Sequence, residues 1–330
     1  MSETLIDEAR IREHLEQLVS INSVNPSLVP GAPGEREISE YLAEFMRQIG
    51  LETRLVEVEP GRFNAVGVLK GSGDGRRLLL NGHTDTVGID RMDIGPLDPV
   101  VREGKLFGRG SCDMKGGLAA ILGAAEAVID SGKELEGDVI VAAVCDEEYA
   151  SIGTENLMED VKPDAAIVGE STALQILVAH KGFAWIDIDT HGVAAHGSLP
   201  DVGVDAIAKM GKVLVAVEDL EKSLKRKRHA LVGTPSVHAS LIHGGIELST
   251  YPDHCKLQLE RRMIPGETRR DIETEVGSLL DSIRREDSGF KTDHRIFFLR
   301  NSMEVSPKEE ICLVLQRCVQ EVVGREVLFI

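Results

Sequence analysis

The fold is decided by residues 79–87, which read Leu-Leu-Asn-Gly-His-Thr-Asp-Thr-Val. An apolar run ends in a glycine, and His83 and Asp85 follow it two positions apart. On an extended strand, residues i and i+2 point to the same face of the sheet. A metal-binding histidine usually gives its second ring N–H to a carboxylate, which fixes the orientation of the ring. The stretch therefore predicts a buried strand that ends in a His–Asp pair, although such a pair alone does not identify a metal site.

The composition excludes several classes of protein. At 330 residues the chain is long for one domain and natural for two. Its 37 basic and 55 acidic residues give a net charge of −18, which argues against nucleic acid or an anionic membrane as the main partner. No apolar run reaches the roughly 20 residues that span a bilayer, and the acidic N-terminus has no signal-peptide core. The five cysteines form no Cys-x-x-Cys motif, so we expect a cytoplasmic protein without a disulfide framework.

Apolar periodicity predicts alternating helices and strands in the first half of the chain. The predicted helices cover residues 5–20, 35–49 and 114–131, and the predicted strands cover residues 64–69, 77–81, 138–145 and 165–168. Such alternation is typical of α/β domains. We therefore expect an α/β catalytic domain with a mostly parallel sheet and helices on both faces.

The pattern changes near residue 180, where a strand with alternating apolar residues begins. The predicted strands are then 183–190, 236–243 and 254–262, and the predicted helices are 203–222 and 268–286. This β-α-β-β-α order indicates an α+β domain of the ferredoxin-like type. We interpret the apolar residues 296–299 and a predicted helix at 307–323 as the first domain resuming. The predicted division is a catalytic domain of residues 1–179 and 293–330 and an inserted domain of residues 180–292.

Acidic residues stand at the ends of several predicted elements of the first domain. Asp113 lies in a glycine-rich turn before a helix. Glu147 and Glu148 follow one buried strand, and Glu170 follows another. The carboxyl ends of parallel strands form a common crevice, and one histidine with several carboxylates suits Zn²⁺, Co²⁺ or Mn²⁺. Structural alternatives stay open for two of these segments, since Asp113 could cap its helix and residues 146–148 could form an acidic loop cap.

Several short segments also match, in order and spacing, the motifs of one enzyme family. The matching segments are residues 82–87, 108–117, 146–148, 169–172, 180–182, 192–200, 260–262 and 265–266. On these segments the chain resembles the M20 metallopeptidases, which include acetylornithine deacetylase, succinyl-diaminopimelate desuccinylase and aminoacylase. The resemblance covers essentially the whole chain. The combination of motifs is highly specific, although each motif alone is not.

The resemblance implies a site for two Zn²⁺ ions per full-length subunit, with Co²⁺ or Mn²⁺ as alternatives. The implied metal ligands are His83, Asp113, Glu148 and Glu170. Asp113 would bridge the two ions, and Glu148 would bind the second. Asp85 would orient His83. Glu147 would be the general base that activates a metal-bound water and then the acid that protonates the leaving amine.

The resemblance also implies roles for two residues of the predicted inserted domain. His196 would stabilise the oxyanion, in relatives across a dimer interface. Arg262 would bind the carboxylate of the substrate, for which a guanidinium is geometrically suited. The structural alternatives are a loop histidine and a surface ion pair. Residues 180–292 would act as a lid and would form the contact of a homodimer.

One departure from the family concerns the second metal. Relatives continue further and carry a final histidine at this site, whereas the present sequence stops after the apolar residues 327–330. The later histidines are in no matching context, since they fall within or beside the predicted inserted domain; they are His229, His238, His243, His254 and His294. We therefore expect a C-terminally truncated member that keeps the first ion and binds the second weakly.

The expected function is that of a metal-dependent hydrolase that cleaves the amide bond of an N-acyl amino acid. Residues 201–206 and 251–253 look most like the acetylornithine deacetylase/desuccinylase branch of the family, so an acetylornithine deacetylase-like enzyme of arginine biosynthesis is expected. Succinyl-diaminopimelate desuccinylase and a dipeptidase or aminoacylase are alternatives within the family, so the substrate is expected to be a small N-acyl amino acid or a dipeptide. An alternative of another class is a truncated, non-catalytic protein that only binds a ligand or dimerises.

Overall fold

The computed structural model describes residues 6–330, which form two compact units. The first unit ends at Ala173, and the second comprises Leu174–Ile330. Residue 5, where the first helix was predicted to begin, lies outside the described residues. No helix within residues 6–330 has both the length and the apolar character that crossing a bilayer requires.

The first unit contains a five-stranded sheet, a small two-stranded sheet and helices packed on the larger sheet. In chain order its elements are α1 (Glu8–Ser20), α2 (Arg36–Gln48), β1 (Glu52–Glu59), β2 (Arg62–Leu69), β3 (Leu78–His83), β4 (Val100–Arg102), β5 (Lys105–Phe107), α3 (Lys115–Asp130), β6 (Val139–Val144), α4 (Ile152–Asp160) and β7 (Ala165–Val168). The strand order of the large sheet is β1-β2-β6-β3-β7.

The large sheet is mixed, which refines the prediction of a mostly parallel sheet. β3 runs parallel to both β6 and β7, so the three strands that precede the predicted site residues are parallel. β2 is antiparallel to both β1 and β6. The difference arises because β1 and β2 form a hairpin through a short turn at Gly61, whose positive φ of 82° suits glycine. The predicted α/β class is confirmed.

Both faces of the large sheet are covered, as predicted. Val141 and Ala143 of β6 pack with α1, α2 and α3 on one face. Ile140, Ala142 and Val144 pack with α4 on the opposite face. Side chains of a strand alternate between faces, so a continuous apolar run such as β6 is fully buried when both faces are covered. This burial holds the ends of β3 and β6 in fixed positions, and these ends carry the site residues.

Two glycines allow α3 to approach the strand ends closely. A Cβ atom at Gly82 in β3 would lie 2.7 Å from Cδ2 of Leu118 in α3. A Cβ atom at Gly117 in the first turn of α3 would lie 1.9 Å from the carbonyl oxygen of Gly169. A side chain at either position would push the helix away. The glycines therefore set the distance between the start of α3, next to Asp113, and the ends of β3 and β7.

The second unit contains a four-stranded antiparallel sheet with two helices on one face. Its elements are β8 (Ala179–His180), β9 (Gly182–His191), α5 (Ala206–Leu224), β10 (Ser236–Gly244), β11 (His254–Met263), α6 (Arg269–Glu286), β12 (Lys291–Arg300), β13 (Met303–Glu304) and α7 (Glu310–Val323). The four-stranded sheet has the order β10-β11-β9-β12. Its apolar face packs on α5 and α6 around Ile186, Ile188 and Leu257. The predicted α+β arrangement is present in this unit.

The structure corrects the interpretation of residues 296–299. These residues belong to β12, which pairs with β9 and is an edge strand of the second unit's sheet. They do not resume the first domain, so the predicted boundary at residue 293 is wrong for this strand. The apolar run was assigned to the wrong sheet because a strand pattern does not specify its pairing partner. The insertion of residues 180–292 as a separate domain stays a prediction.

The remaining part of the second unit forms a smaller apolar cluster. Ile176 and Val178 pack with Cys312 of α7 and with Val327. The segment 176–178 also runs parallel to residues 328–330, with the amide of Ile330 donating to the carbonyl oxygen of Ile176 at 2.9 Å. The predicted helix at 307–323 is therefore present as α7, packed within the same unit as β8.

Candidate metal centre

His83 is the last residue of β3, and its side chain is only 1% exposed. Its Nδ1–H donates to the main-chain carbonyl oxygen of Asp85 at 2.9 Å. The Asp85 carboxylate lies further away, with 3.5 Å between Oδ1 and Nδ1. Because the carbonyl oxygen can only accept, it fixes the ring orientation and leaves Nε2 to face the carboxylates of the site.

The ligand atoms of His83, Asp113 and Glu170 lie within 4.8 Å of one another. Nε2 of His83 is 3.0 Å from Oδ1 of Asp113 and 3.5 Å from Oε1 of Glu170. In a tetrahedral Zn²⁺ site with bonds of 2.0–2.2 Å, neighbouring ligand atoms are separated by about 3.4 Å. Among residues 6–330 this is the one group of three or more such side chains close enough to share an ion. The donor set and its spacing therefore fit a divalent cation.

Glu147 lies in the turn after β6, and its side chain extends toward the cluster of His83, Asp113 and Glu170. Its Oε2 lies 3.7 Å from Nε2 of His83, and its side chain is about half-exposed. The turn begins at Asp146, which adopts a left-handed conformation with a φ of 63°. This conformation is uncommon for a residue other than glycine and redirects the chain directly after the strand. Glu147 thus presents its carboxylate next to the three candidate ligands.

The charges of this cluster shift the pKa values of its members. Burial lowers the pKa of His83, but the carboxylates of Asp113, Asp85 and Glu147 outweigh it and raise that pKa to about 11. The hydrogen bond to His83 lowers the pKa of Asp113. Burial and the charge of Asp113 raise the pKa of Glu148 to about 7, and burial also raises the pKa of Glu170. The carboxylates of the cluster therefore favour a positive charge between them, which is either the proton on His83 or a bound cation.

Asp85 does more than face His83. Its side chain is completely buried, and Oδ1 accepts the main-chain N–H of Glu147 at 3.0 Å. Oδ2 accepts the main-chain N–H of Glu148 at 3.1 Å and the side-chain amide of Asn25 at 2.7 Å. Burial raises the pKa of Asp85, but the neighbouring His83 and the bonds from Asn25 and the Glu147 amide outweigh burial and keep that pKa low. Asp85 therefore remains an ionised acceptor that holds the turn carrying both glutamates.

Several buried polar residues around Asp85 were missed in the sequence analysis. Asn25 donates to Asp85 and Asp146, and Arg62 forms ion pairs with Asp146 and Glu35. In the sequence Asp146 is only the first residue of the acidic segment 146–148. The sequence holds a weak signal for Asn25, since an Asn-Pro pair marks a turn. Nothing local distinguishes Arg62 and Glu35 from surface charges.

His196 and Arg262 lie in the second unit. His196 is exposed, and its Nδ1 is 2.8 Å from Oγ of Ser198. Arg262 in β11 is 2.9 Å from Oε1 of Glu260, and its guanidinium lies 5.1 Å from the ring centre of Phe183. The roles in oxyanion stabilisation and carboxylate binding stay predictions for these two residues.

A family model described as peptidase family M20/M25/M40 matches residues 79–329, well over half of the chain. The chain belongs to this family. Family membership confirms the resemblance and the enzyme class predicted from the sequence, a metal-dependent hydrolase that acts on amide bonds. The roles assigned to individual site residues of this M20 hydrolase stay predictions.

Individual relatives show the range of the similarity. Acetylornithine deacetylase of Vibrio atlanticus (strain LGP32) is 32% identical over 273 residues, which cover 81% of this chain and 71% of the relative. N-formyl-4-amino-5-aminomethyl-2-methylpyrimidine deformylase of Bacillus subtilis (strain 168) is 27% identical over 331 residues, covering 94% of this chain and 78% of the relative. A solved tripeptidase of Staphylococcus aureus has a TM-score of 0.77 at 21% identity, covering 98% of this chain and 84% of that one. At this identity, the similarity to the tripeptidase shows the fold alone.

Proposed function

We propose that this M20 hydrolase removes the acyl group from a small N-acyl amino acid, with N-acetylornithine as the first candidate. The observation that carries the proposal is the cluster of His83, Asp113 and Glu170 with the Glu147 carboxylate beside it. The 32% identity to an acetylornithine deacetylase supports this substrate over a peptide. The cytoplasmic location and the homodimer through residues 180–292 are further parts of the proposal.

The donor set suggests which residues hold the cations. His83, Asp113 and Glu170 would bind one divalent ion, for which we propose Zn²⁺, with Co²⁺ or Mn²⁺ as alternatives. Asp113 and Glu148 would contribute to a second ion. When bound, such cations lower the pKa of water and polarise a carbonyl group.

The protein's own residues would then move the proton. Glu147 accepts a proton from the attacking water at its carboxylate as the new C–O bond forms at the amide carbon. It donates this proton to the amine nitrogen as the C–N bond breaks, so that an acid and a free amine result. Because Asp85 fixes the main chain of Glu147, the carboxylate returns to the same place for both transfers. His196 would stabilise the negative charge on the carbonyl oxygen.

A side-by-side assay tests the proposed function. The purified protein is loaded with Zn²⁺, Co²⁺ or Mn²⁺ and given N-acetylornithine, succinyl-diaminopimelate, a dipeptide or an N-formyl aminopyrimidine. We expect the highest kcat/KM with N-acetylornithine. A higher kcat/KM with another of these amides would instead assign the enzyme to the corresponding branch of the family. Binding of these compounds without turnover under any metal would instead support the non-catalytic alternative.

Metal binding should release protons. His83 keeps its proton up to about pH 11 without a cation, and a metal-bound imidazole must be neutral at Nε2. Higher pH therefore favours binding, and we expect the affinity for Zn²⁺ to rise about tenfold per pH unit between pH 6 and 8. Calorimetric titration in buffers of different ionisation enthalpy measures the protons released. His229→Gln is the control variant, and an affinity that does not change with pH would contradict the assignment of His83.

Arg262 should contribute to substrate binding more than to turnover. We expect Arg262→Ala to raise KM for an N-acyl amino acid about 10- to 100-fold, with a smaller change in kcat, because a charge-assisted bond worth about 1.5–3 kcal/mol is lost. Arg262→Lys keeps the positive charge but lacks the planar guanidinium group, so its KM should lie between those of the wild type and Arg262→Ala. Steady-state kinetics with an amidated substrate provide the control, since this substrate lacks the carboxylate. An unchanged KM for Arg262→Ala would refute the role.

A further inference from the structure

The segment 21–25, which follows α1, touches the chain beside several of the candidate site residues. Its main chain runs alongside residues 84–86, with the Thr86 amide donating to Ser23 at 3.0 Å and the Asn25 amide donating to Thr86 at 2.9 Å. The carbonyl oxygen of Ile21 accepts from Nζ of Lys115, two residues after Asp113, at 2.9 Å. The segment is thus tied both to the chain after His83 and to the start of α3.

The side chain of Asn25 connects this segment to the turn after β6. Its Nδ2 group donates to Oδ2 of Asp85 at 2.7 Å and to Oδ1 of Asp146 at 3.0 Å. Its Oδ1 accepts from the Ser27 amide at 2.9 Å and from Arg62 at 3.3 Å. An amide has two N–H donors and one oxygen with two lone pairs. Asn25 is completely buried, and all four positions are used.

The two carboxylates that Asn25 joins also determine where Glu147 lies. Asp85 holds the amides of Glu147 and Glu148, and Asp146 is the left-handed residue that directs the turn. Both carboxylates are at most 1% exposed, so each needs donors to balance the loss of water. Asn25 supplies a neutral donor to each. A carboxylate at position 25 would supply none and would add a further negative charge.

We propose that Asn25 is a positioning residue, which holds Asp85 and Asp146 and through them fixes the Glu147–Glu148 turn. Asn25 lies before residue 79, where the family model begins to match, so the motifs of the matched region do not include it. The part of the inference that concerns turnover rests on the proposed function. The part that concerns the turn itself does not.

Hydrogen exchange of the turn tests the inference without a substrate. In Asn25→Ala, exchange of the peptide amides of residues 147 and 148 should become at least about tenfold faster, because Asp85 is no longer held as their acceptor. The amides of β6 should keep the wild-type rates. Asn25→Asp keeps the size and the acceptor oxygen but removes both donors, and it should show the same local change. Asn22→Ala is the control, since its side chain accepts only within the same segment, from the Val24 amide.

Kinetics and metal binding provide a second readout. We expect kcat of Asn25→Ala to fall about 10- to 100-fold with KM within about threefold of wild type, and its Zn²⁺ affinity to fall about tenfold. Unchanged exchange in residues 147 and 148, or faster exchange throughout the first unit, would overturn the inference. If Asn25→Ala does not fold, Asn25→Ser takes its place with the same expected results. Absence of turnover in the wild type would refute the proposed function, whereas the exchange pattern would still decide the role of Asn25.

Discussion

Glu147→Ala is expected to lose about 10²- to 10⁴-fold in kcat while it keeps its metal. The Glu147 carboxylate lies 3.7 Å from Nε2 of His83, within reach of a water at the candidate metal centre. Its proposed task is proton transfer, whereas His83, Asp113 and Glu170 are the proposed ligands of the ion. Removing Glu147 should therefore abolish the transfer and leave these ligands in place. Steady-state kinetics with N-acetylornithine, together with metal analysis of the purified variant, measure both effects.

Two further variants make the Glu147 experiment specific. Glu159→Ala removes an exposed acid of α4 and should retain wild-type kinetics. Glu147→Gln keeps the size of the side chain but cannot accept the proton, so it should be as inactive as Glu147→Ala. Near-normal turnover in either Glu147 variant would refute the base assignment. Loss of the metal together with turnover would show that Glu147 is a ligand instead.

Gly117→Ala is expected to destabilise the first unit and to weaken metal binding. The new Cβ would lie 1.9 Å from the carbonyl oxygen of Gly169, so either α3 or the end of β7 must move. Overpacking of this kind costs about 1–3 kcal/mol, and here the obstacle is main chain and cannot rotate away. We expect the free energy of unfolding to fall by about 2 kcal/mol or more. Because Asp113 precedes α3 and Glu170 follows Gly169, Zn²⁺ affinity should fall at least about tenfold.

The matched control for Gly117→Ala is Gly211→Ala. Gly211 lies in α5, and a Cβ atom there would have no neighbour within 4 Å. Alanine is the better helix former by about 1 kcal/mol, so this variant should be slightly more stable than wild type. Denaturant unfolding and calorimetric Zn²⁺ titration of both variants separate steric overlap from helix propensity. A Gly117→Ala variant as stable as wild type would mean that the close packing of α3 is dispensable.

The elements that were predicted correctly are those with a strong local pattern. β3 and β6 are apolar runs buried on both faces, and α3 and α6 lie close to their predicted bounds. β1 was missed because it is a charged, half-exposed edge strand, and α4 was missed because it is short and polar. β12 was recognised as an apolar run but assigned to the wrong unit. For β12 the deciding interaction is its pairing with β9, a distant part of the chain.

The candidate site shows the same division. His83 ends a strand, Asp113 precedes a helix and Glu170 follows a strand, so their meeting at one edge of the sheet could be predicted from topology. The part played by Asn25 could not, because its partners Asp85 and Asp146 are 60 and 121 residues away in sequence. The hydrogen bonds that Asp85 accepts from the main-chain amides of Glu147 and Glu148 could not be predicted from the sequence either. Sequence motifs identify the candidate metal ligands more readily than the side chains that support them.

The bonds of Asp85 also constrain how this site can evolve. One carboxylate faces His83 and accepts the amides of Glu147 and Glu148, so the proposed metal ligand and the proposed base share a single support. A mutation that moves Asp85 and so changes the surroundings of His83 also moves Glu147. Adaptation to a new metal or acyl group is therefore expected to begin elsewhere, in residues that contact the substrate. We expect natural and selected variants to leave position 85 unchanged while specificity changes around it.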